Sequence, residues 1–357
     1  MRYSFIPLAL TMSAAAQTTA TVRAIPTPFV GAMFALSPDG AMMAVYENAI
    51  LVENEIADNL QILLIDPKTG EEIGRLEGTQ VDLTRSVAFS PDGTHLTSYH
   101  ANGDLIIWDL ATQEATKVYD WLPTSGVYMD YLSDGQTLSL LAHNGVLGHH
   151  ILFDLTSGSI IDMLGLRPDT FAEFSDIALV PLEMGIFSVA AQAVGPNGEI
   201  YGATGNGDVY RWNPETRERE TLYPATDERP LRYPVRHLQV LDDGTLAFLD
   251  SGTNTFVHFA PDGASTQYTL NGAKFAESRD GLVVAFDSLE NAFYTLDLNS
   301  DSAEPQRLEA DLGLDAEGKP IEVRGNPVLA FTPDGEIAIG GVYVPEGESA
   351  VYILNFS

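Results

Sequence analysis

Short stretches in which apolar and polar residues alternate recur along most of this chain. They belong to a unit that is repeated seven times. Each unit has an Asp-Gly or Asn-Gly step, an alternating apolar stretch, and a second apolar run that ends at a small polar or acidic residue. The steps are Asp39-Gly40, Asp92-Gly93, Asp134-Gly135, Asn197-Gly198, Asp243-Gly244, Asp280-Gly281 and Asp334-Gly335, and the second runs end at Ile65-Asp66, Trp108-Asp109, Phe153-Asp154, Trp212-Asn213, Phe259-Ala260, Leu296-Asp297 and Leu354-Asn355. Alternation with a period of two predicts strands, and a glycine after Asp or Asn suits a tight turn between them.

Residues 86–120 show the unit most clearly. They predict an inner strand at 87–89, a turn at 90–93, a second strand at 94–99, a third strand at 105–108 and an outer strand at 114–119. Four antiparallel strands that are repeated radially form the blade of a propeller. We therefore expect an all-β fold, a seven-bladed β-propeller of four-stranded antiparallel blades.

The seventh unit lacks its fourth strand. It supplies strands at residues 328–331, 336–340 and 350–355, whereas an extended segment at residues 21–28 precedes the first unit and belongs to no blade. If this segment is the outer strand of the last blade, the ring closes and no unpaired sheet edge is left for another chain to join. We expect the N-terminal strand to close the ring in this way.

Two stretches of the second unit resemble the WD-repeat propeller family. They are residues 87–93, with the sequence Val-Ala-Phe-Ser-Pro-Asp-Gly, and residues 104–112, with the sequence Asp-Leu-Ile-Ile-Trp-Asp-Leu-Ala-Thr; residues 331–335 are similar to the first. The family usually carries a Gly-His pair before the inner strand, but this chain has Glu77-Gly78 there, and Asn102 stands near the family's hairpin Asp. The Ser-Pro-Asp-Gly turn is also similar to that of bacterial periplasmic propellers of the Tol-system type. The resemblance implies a scaffold that binds proteins or peptides.

The first 16 residues have the pattern of a secretory signal peptide. Arg2 is followed by an apolar run at residues 5–12 and by Ala14-Ala15-Ala16, which predicts cleavage before Gln17; the alternative is a disordered cytosolic tail. Residues 17–357 then form a single propeller domain, and no later segment is a candidate membrane span. The chain has no cysteine, which excludes disulfides and thiolate nucleophiles. We expect a periplasmic or secreted monomer.

The chain is strongly acidic. Its 50 acidic and 18 basic residues give a formal net charge of -32, which argues against nucleic acids and anionic membrane surfaces as partners. Six of the basic residues nevertheless lie close together: Arg211, Arg217, Arg219, Arg229, Arg232 and Arg236. The connection that contains the last three also contains Tyr233, and arginine and tyrosine together are typical of recognition sites. The alternative is that these arginines pair with neighbouring acidic residues.

Long connections are predicted on one face of the ring. Connections between second and third strands, and those between blades, emerge on the same face, which we call the loop face. Residues 46–59, 166–184, 224–236, 311–327 and 344–349 all belong to it. Because recognition usually resides in variable loops on a rigid scaffold, we expect partner binding there. Trp121, in the connection to the third unit, is a further contact candidate, whereas Trp108 and Trp212 are predicted to pack between blades.

No catalytic motif is found, and we predict no catalytic residue, metal or cofactor. Residues 202–207 are glycine-rich but form a hairpin turn. His143, His149 and His150 flank another hairpin, where His149 and His150 should point to opposite faces. Residues 297–301 resemble the start of a calcium loop but lack its later ligands, which favours a surface turn. The leading hypothesis is a non-enzymatic scaffold; the alternative is an extracytoplasmic propeller enzyme of the lactonase or hydrolase type, in which scattered acidic residues hold a metal in the central channel.

Overall fold

The structure is a computed structural model. It describes residues 18–47, 60–78, 84–100, 102–119, 125–143, 148–163, 189–205, 207–213, 216, 218–224, 235–270, 272, 274–277, 280–300, 303–315, 318–342 and 349–356. All regular secondary structure in these ranges is strand, in 28 segments. The chain is therefore all-β, as the alternating pattern predicts.

The strands form seven blades of four strands. The first strand of the chain is β1 (Thr18–Thr27). Blade 1 contains β2 (Met33–Leu36), β3 (Met43–Tyr46), β4 (Leu60–Ile65) and β5 (Glu72–Gly78). Blade 2 contains β6 (Thr84–Phe89), β7 (His95–His100), β8 (Leu105–Asp109) and β9 (Glu114–Tyr119). Blade 3 contains β10 (Ser125–Tyr131), β11 (Thr137–His143), β12 (Gly148–Asp154) and β13 (Ser159–Met163).

The remaining blades follow the same order. Blade 4 contains β14 (Val189–Val194), β15 (Ile200–Thr204), β16 (Val209–Asn213) and β17 (Glu218–Tyr223). Blade 5 contains β18 (Val235–Val240), β19 (Leu246–Asp250), β20 (Thr255–Phe259) and β21 (Ser265–Thr269). Blade 6 contains β22 (Lys274–Glu277), β23 (Leu282–Asp287), β24 (Ala292–Asp297) and β25 (Gln306–Glu309), and blade 7 contains β26 (Val323–Phe331), β27 (Ile337–Val342), β28 (Ser349–Phe356) and β1. β26 begins at Val323, so the predicted connection at residues 311–327 is shorter than expected.

The ring is closed by the N-terminal strand, as the sequence predicts. β1 pairs antiparallel with β28, in a register that runs from Ala20 opposite Phe356 to Thr27 opposite Ser349. Thr18 and Thr19 also pair in parallel with β25, so the strands of blades 6 and 7 form one eight-stranded sheet. This second pairing explains why β1 begins before the expected residue 21.

The seven repeated turns have the expected conformation. All seven glycines have positive φ, between 64° at Gly40 and 85° at Gly198. In the turn of blade 2, Gly93 N donates to Ser90 O over 2.9 Å, and Ser90 Oγ donates to Asp92 Oδ1 over 2.6 Å. The bond from Ser90 and those from Thr94 lower the pKa of Asp92 to about 2, so the turn carboxylate stays ionised. In this turn Gly93 therefore provides the positive φ, and Asp92 accepts the side-chain bonds.

The blades are joined by buried apolar side chains. The core between blades 1 and 2 contains Ile62, Val87 and Trp108, and the core between blades 3 and 4 contains Leu152, Ile200 and Trp212. The prediction that Trp108 and Trp212 pack between blades is thus confirmed. Because the larger part of each core lies between blades, each blade is stabilised mainly by its neighbours.

A buried serine within blade 2 bonds both a tryptophan and a histidine. Trp108 Nε1 donates to Ser98 Oγ over 2.8 Å, and Ser98 Oγ shares a hydrogen bond of 2.8 Å with His100 Nε2. His100 belongs to β7. In WD repeats the histidine usually precedes the inner strand, where this chain has Glu77-Gly78. The buried indole of Trp108 is therefore satisfied by the second strand of its own blade.

The packing of β1 can be tested at Ile25. This side chain is buried against residues of blades 1 and 7, including Phe34 and Ile353. We expect Ile25→Ala to lower the free energy of unfolding by about 2–5 kcal/mol, because it leaves a cavity at the closure. The matched control is Thr21→Ala on the same strand, where the side chain is exposed and the change should stay within about 0.5 kcal/mol. Urea unfolding measures the free energy of unfolding of both variants. An equal loss in the two would show that β1 is not packed at the closure.

Candidate functional site

The described residues place a group of polar side chains in the central channel. The seven inner strands are β2, β6, β10, β14, β18, β22 and β26. Each inner strand begins at the loop face and ends at the opposite face, because the strands of a blade alternate in direction. Residues at the start of an inner strand therefore lie near the loop-face end of the channel.

A hydrogen bond crosses this channel. Lys274, the first residue of β22 in blade 6, donates from Nζ to the hydroxyl of Tyr128 on β10 in blade 3 over 2.7 Å. The same ammonium lies 4.9 Å from the centroid of the Tyr128 ring. Blades 3 and 6 are not neighbours, so a contact between their inner strands has to span the channel. The two side chains bridge it.

Two more polar side chains stand beside this bridge. His237 on β18 packs edge-to-face on Phe275, with ring centroids 4.9 Å apart, and burial together with the charge of Lys274 lowers the pKa of His237 to about 3. Tyr46 ends β3, and burial together with the nearby Tyr128 raises the pKa of its hydroxyl. Both groups are therefore neutral near pH 7. We call Tyr46, Tyr128, His237 and Lys274 the channel cluster.

Lys274 is unusual in this protein. The chain has four lysines, and Lys274 is only 6% exposed. Lys68, by comparison, is exposed and pairs with Asp334 over 2.9 Å. No ion pair joins Lys274 to a carboxylate of the described residues. A buried cation without a counter-ion is costly, which makes this position a candidate binding site.

Asp130 is a second ionisable group on the same inner strand. It lies two residues after Tyr128, so the two side chains leave β10 on the same side. The Asp130 side chain is exposed, yet the surrounding protein replaces much of its bulk water and raises its pKa to about 7. Loss of bulk water around the carboxyl is the only cause of this pKa shift, so Lys274 does not act as the counter-ion of Asp130. Asp130 therefore titrates close to neutral pH.

A serine and a histidine meet between blades 3 and 4, but they are inaccessible. Ser139 Oγ lies 2.6 Å from His150 Nε2, and Gln192 Nε2 donates to Ser139 O over 2.8 Å. Ser139 and His150 are 0% and 1% exposed. Burial and the charge of Arg219 lower the pKa of His150 to about 3, so it is neutral. This pair stabilises the junction and cannot reach a substrate.

The other sequence-based candidates have mixed outcomes. The side chains of His143 and His149 lie outside the described residues. Asp297 accepts a bond from Asn299 N over 2.9 Å in a surface turn, as expected. Within the described ranges, no three or more His, Asp or Glu side chains are grouped so that they could hold a metal ion. No helix among these residues is long and apolar enough to cross a membrane.

The predicted partner-binding residues are mostly beyond the described structure. Trp121, Arg229, Arg232 and Tyr233 lie outside the described residues, and Arg236 is described only as the second backbone position of β18. Two members of the wider arginine group are described. Arg211 pairs with Glu220 over 2.6 Å, and the Arg219 guanidinium lies 4.8 Å from the Tyr210 ring centroid. For Arg211 the alternative, in which the arginine pairs with a neighbouring acidic residue, is confirmed.

Sequence reasoning missed Lys274, Tyr128 and Asp130. No local motif marks them, because Lys274 and Tyr128 are 146 positions apart and meet only across the closed ring. One signal was available: a lysine in the inner strand of a chain with so few lysines. Such a residue is more informative than the same residue in a lysine-rich chain.

The chain shares its fold with solved WD40 propellers. It matches the β-propeller domain of Cps50 (Swd1) from Myceliophteria thermophila with a TM-score of 0.65 and 14% identity, covering 95% of this chain and 100% of that one. The WD40 repeats of RRP9 match with a TM-score of 0.64 and 11% identity, covering 96% of this chain and 99% of that one. The structure of U3-55K matches with a TM-score of 0.63 and 11% identity, covering 94% and 98%. No protein-family model and no curated protein sequence matches the chain.

The titration of Asp130 gives a testable pH dependence. Its folded pKa is raised, so the folded state binds this proton more tightly than the unfolded state, and ionisation destabilises the fold as the pH rises from about 4 to 7. We expect Asp130→Asn to gain stability relative to the native chain over that interval. Urea unfolding at pH 4, 5.5 and 7 measures the difference. Asp262→Asn, in an exposed turn, is the control; a pH-independent difference for Asp130→Asn would contradict the assignment.

Proposed function

We propose that this protein is a non-enzymatic scaffold that binds a protein or peptide partner across its loop face, outside the cytoplasm. The fold supports the first part, because a rigid ring presents many connections on one surface without needing any catalytic group. The solved WD40 propellers described above have this architecture. The signal-peptide pattern of residues 1–16 supports the extracytoplasmic setting.

The observation that carries the proposal is the distribution of exposed apolar side chains. Leu289 is 90% exposed, Leu314 is 65% exposed and Val30 is 37% exposed. Leu289 lies in the turn between β23 and β24, Leu314 in the connection between β25 and β26, and Val30 in the connection between β1 and β2. All three connections emerge on the loop face, in the adjoining sector of blades 6, 7 and 1. We call these three side chains the apolar sector.

The opposite face has a different character. Its turns carry carboxylates that are held by backbone and hydroxyl bonds, which lower the pKa of each: Asp39, Asp66, Asp92, Asp109, Asp154 and Asp243. None of the large exposed apolar residues in the described ranges lies in a turn of that face. Ionised carboxylates are strongly hydrated, so this face favours water over an apolar partner. The contrast between the faces favours the loop face for binding.

The loop-face candidates from the sequence fit the same proposal. Trp121 belongs to the connection between β9 and β10, and Arg229, Arg232 and Tyr233 belong to the connection between β17 and β18. These connections follow blades 2 and 4, whereas the apolar sector lies in blades 6, 7 and 1. A partner that contacts both regions would extend across the mouth of the channel.

A propeller enzyme of the lactonase or hydrolase type is the second candidate. The observation in its favour is Asp130, a channel carboxyl with a pKa of about 7, because such a group can exchange protons at neutral pH. Stoichiometric metal in protein purified without chelators would favour this candidate over the scaffold.

The proposal is tested by affinity capture from the extracytoplasmic fraction of the source organism. The native bait should retain a partner, and a bait with Leu289→Glu and Leu314→Glu should bind the purified partner at least about tenfold more weakly, since each 1.4 kcal/mol corresponds to a factor of ten. A third bait with Arg229, Arg232 and Arg236 changed to Glu tests the arginine connection in the same way. Binding is measured by calorimetry with the purified partner.

The matched control is a bait with Ile73→Glu and Val118→Glu. These side chains are 47% and 56% exposed, but they lie on the outer strands β5 and β9 rather than on the loop face. The control should bind the partner as the native chain does. Equal weakening by the control and by the apolar-sector variant would locate binding elsewhere, and the absence of any captured partner would count against the scaffold.

A further inference from the structure

Lys274 has hydrogen-bonding capacity that the described residues do not use. An ammonium can donate three hydrogen bonds, and the only acceptor for Lys274 among the described residues is the Tyr128 hydroxyl. The hydroxyl of Tyr46 likewise has no hydrogen-bond partner among these residues, although Tyr46 is only 7% exposed. Both of these nearly buried side chains, Lys274 and Tyr46, therefore keep donors that no described residue accepts.

The charge of the site favours an anion. The channel cluster has one cation, Lys274, and its Tyr46 hydroxyl and His237 imidazole are neutral near pH 7. Glu277, which ends the same strand β22, is engaged by His258 over 2.6 Å. Asp130 lies further from the loop face than Tyr128 does. Lys274 makes no contribution to the shift in the pKa of Asp130. No carboxylate of the described residues thus neutralises the ammonium.

The site is placed where a ligand could enter. Lys274 is the first residue of β22 and Tyr46 is the last residue of β3, and both ends point to the loop face. The overall charge of -32 repels anions from the surface, so a site for one has to be built locally, from a cation that is shielded from the surrounding carboxylates. A desolvated ammonium with neighbouring hydroxyl donors meets that requirement.

We propose that the channel cluster binds a carboxylate group at the loop-face end of the channel, with Lys274 as its counter-ion and Tyr46 as a hydrogen-bond donor. The carboxylate belongs either to a protein partner or to a small carboxylic acid. The chemistry of recognition is the same for both, and the proposal does not require that the protein be a scaffold.

The first measurement observes Lys274 directly. With only four lysines, a chain labelled with ¹³C at lysine Cε gives four side-chain signals, and Lys274→Arg identifies the one that is lost. The probe is sodium N-acetylglycinate, which mimics a peptide carboxyl terminus. We expect the Lys274 signal alone to shift saturably. N-acetylglycinamide with equimolar NaCl, which has no carboxylate, should bind about tenfold more weakly or not at all.

The second measurement uses variants. N-acetylglycinate should raise the melting temperature of the native chain and of Lys319→Gln, which alters an exposed lysine, but not that of Lys274→Met. If Lys274→Met does not fold, the Lys274 signal in the spectrum of the native chain still shows whether N-acetylglycinate binds. An unshifted Lys274 signal at saturating probe would overturn the proposal and leave Lys274 as a lysine satisfied by Tyr128 alone.

A third arm distinguishes the two sources of the carboxylate. If Lys274→Met, used as a bait, loses a protein that the native bait captures, the carboxylate belongs to that partner. If the protein is retained while N-acetylglycinate binding is lost, the ligand is a small carboxylic acid. If no partner is captured at all, the scaffold fails, but the spectroscopic result for the carboxylate site stands independently.

Discussion

The pairing of β1 with β28 is the interaction on which the rest of the structure depends, because it joins the two ends of the chain in one blade. Each blade buries much of its apolar surface against its neighbours, so an open ring would leave the faces of blades 7 and 1 unpaired. Ile25 on β1 contributes to the core that joins those two blades. Closure therefore stabilises the blade that it completes and the first blade as well.

Closure also creates the candidate site. Lys274 and Tyr128 belong to blades that are not neighbours in the ring, and a complete ring holds their inner strands at the distance that the 2.7 Å bond requires. The same ring separates a face of ionised turn carboxylates from a loop face with exposed apolar residues. The closing strand β1 therefore holds together a rigid ring that has two chemically different faces and a cation in its channel.

The sequence predicts the fold well because its signals are local and repeated. The glycine of each turn, such as Gly93, is needed for positive φ, and the missing fourth strand of the last unit is found by counting strands. The candidate site is less predictable. The bridge between Lys274 and Tyr128 depends on ring geometry, and the raised pKa of Asp130 depends on its surroundings, neither of which leaves a spacing pattern. Trp121 and the arginine connection remain predictions.

Ring closure can be measured with a disulfide, since the chain has no cysteine of its own. Thr21 and Asn355 are directly paired between β1 and β28, and both are exposed. Thr21→Cys with Asn355→Cys should form an intramolecular disulfide under mild oxidation and raise the melting temperature, because paired strands bring the Cα atoms within bonding range. Ala24→Cys with Asn355→Cys, which is out of register by three residues, should form none. Equal crosslinking of the two pairs, or none of either, would contradict closure by β1.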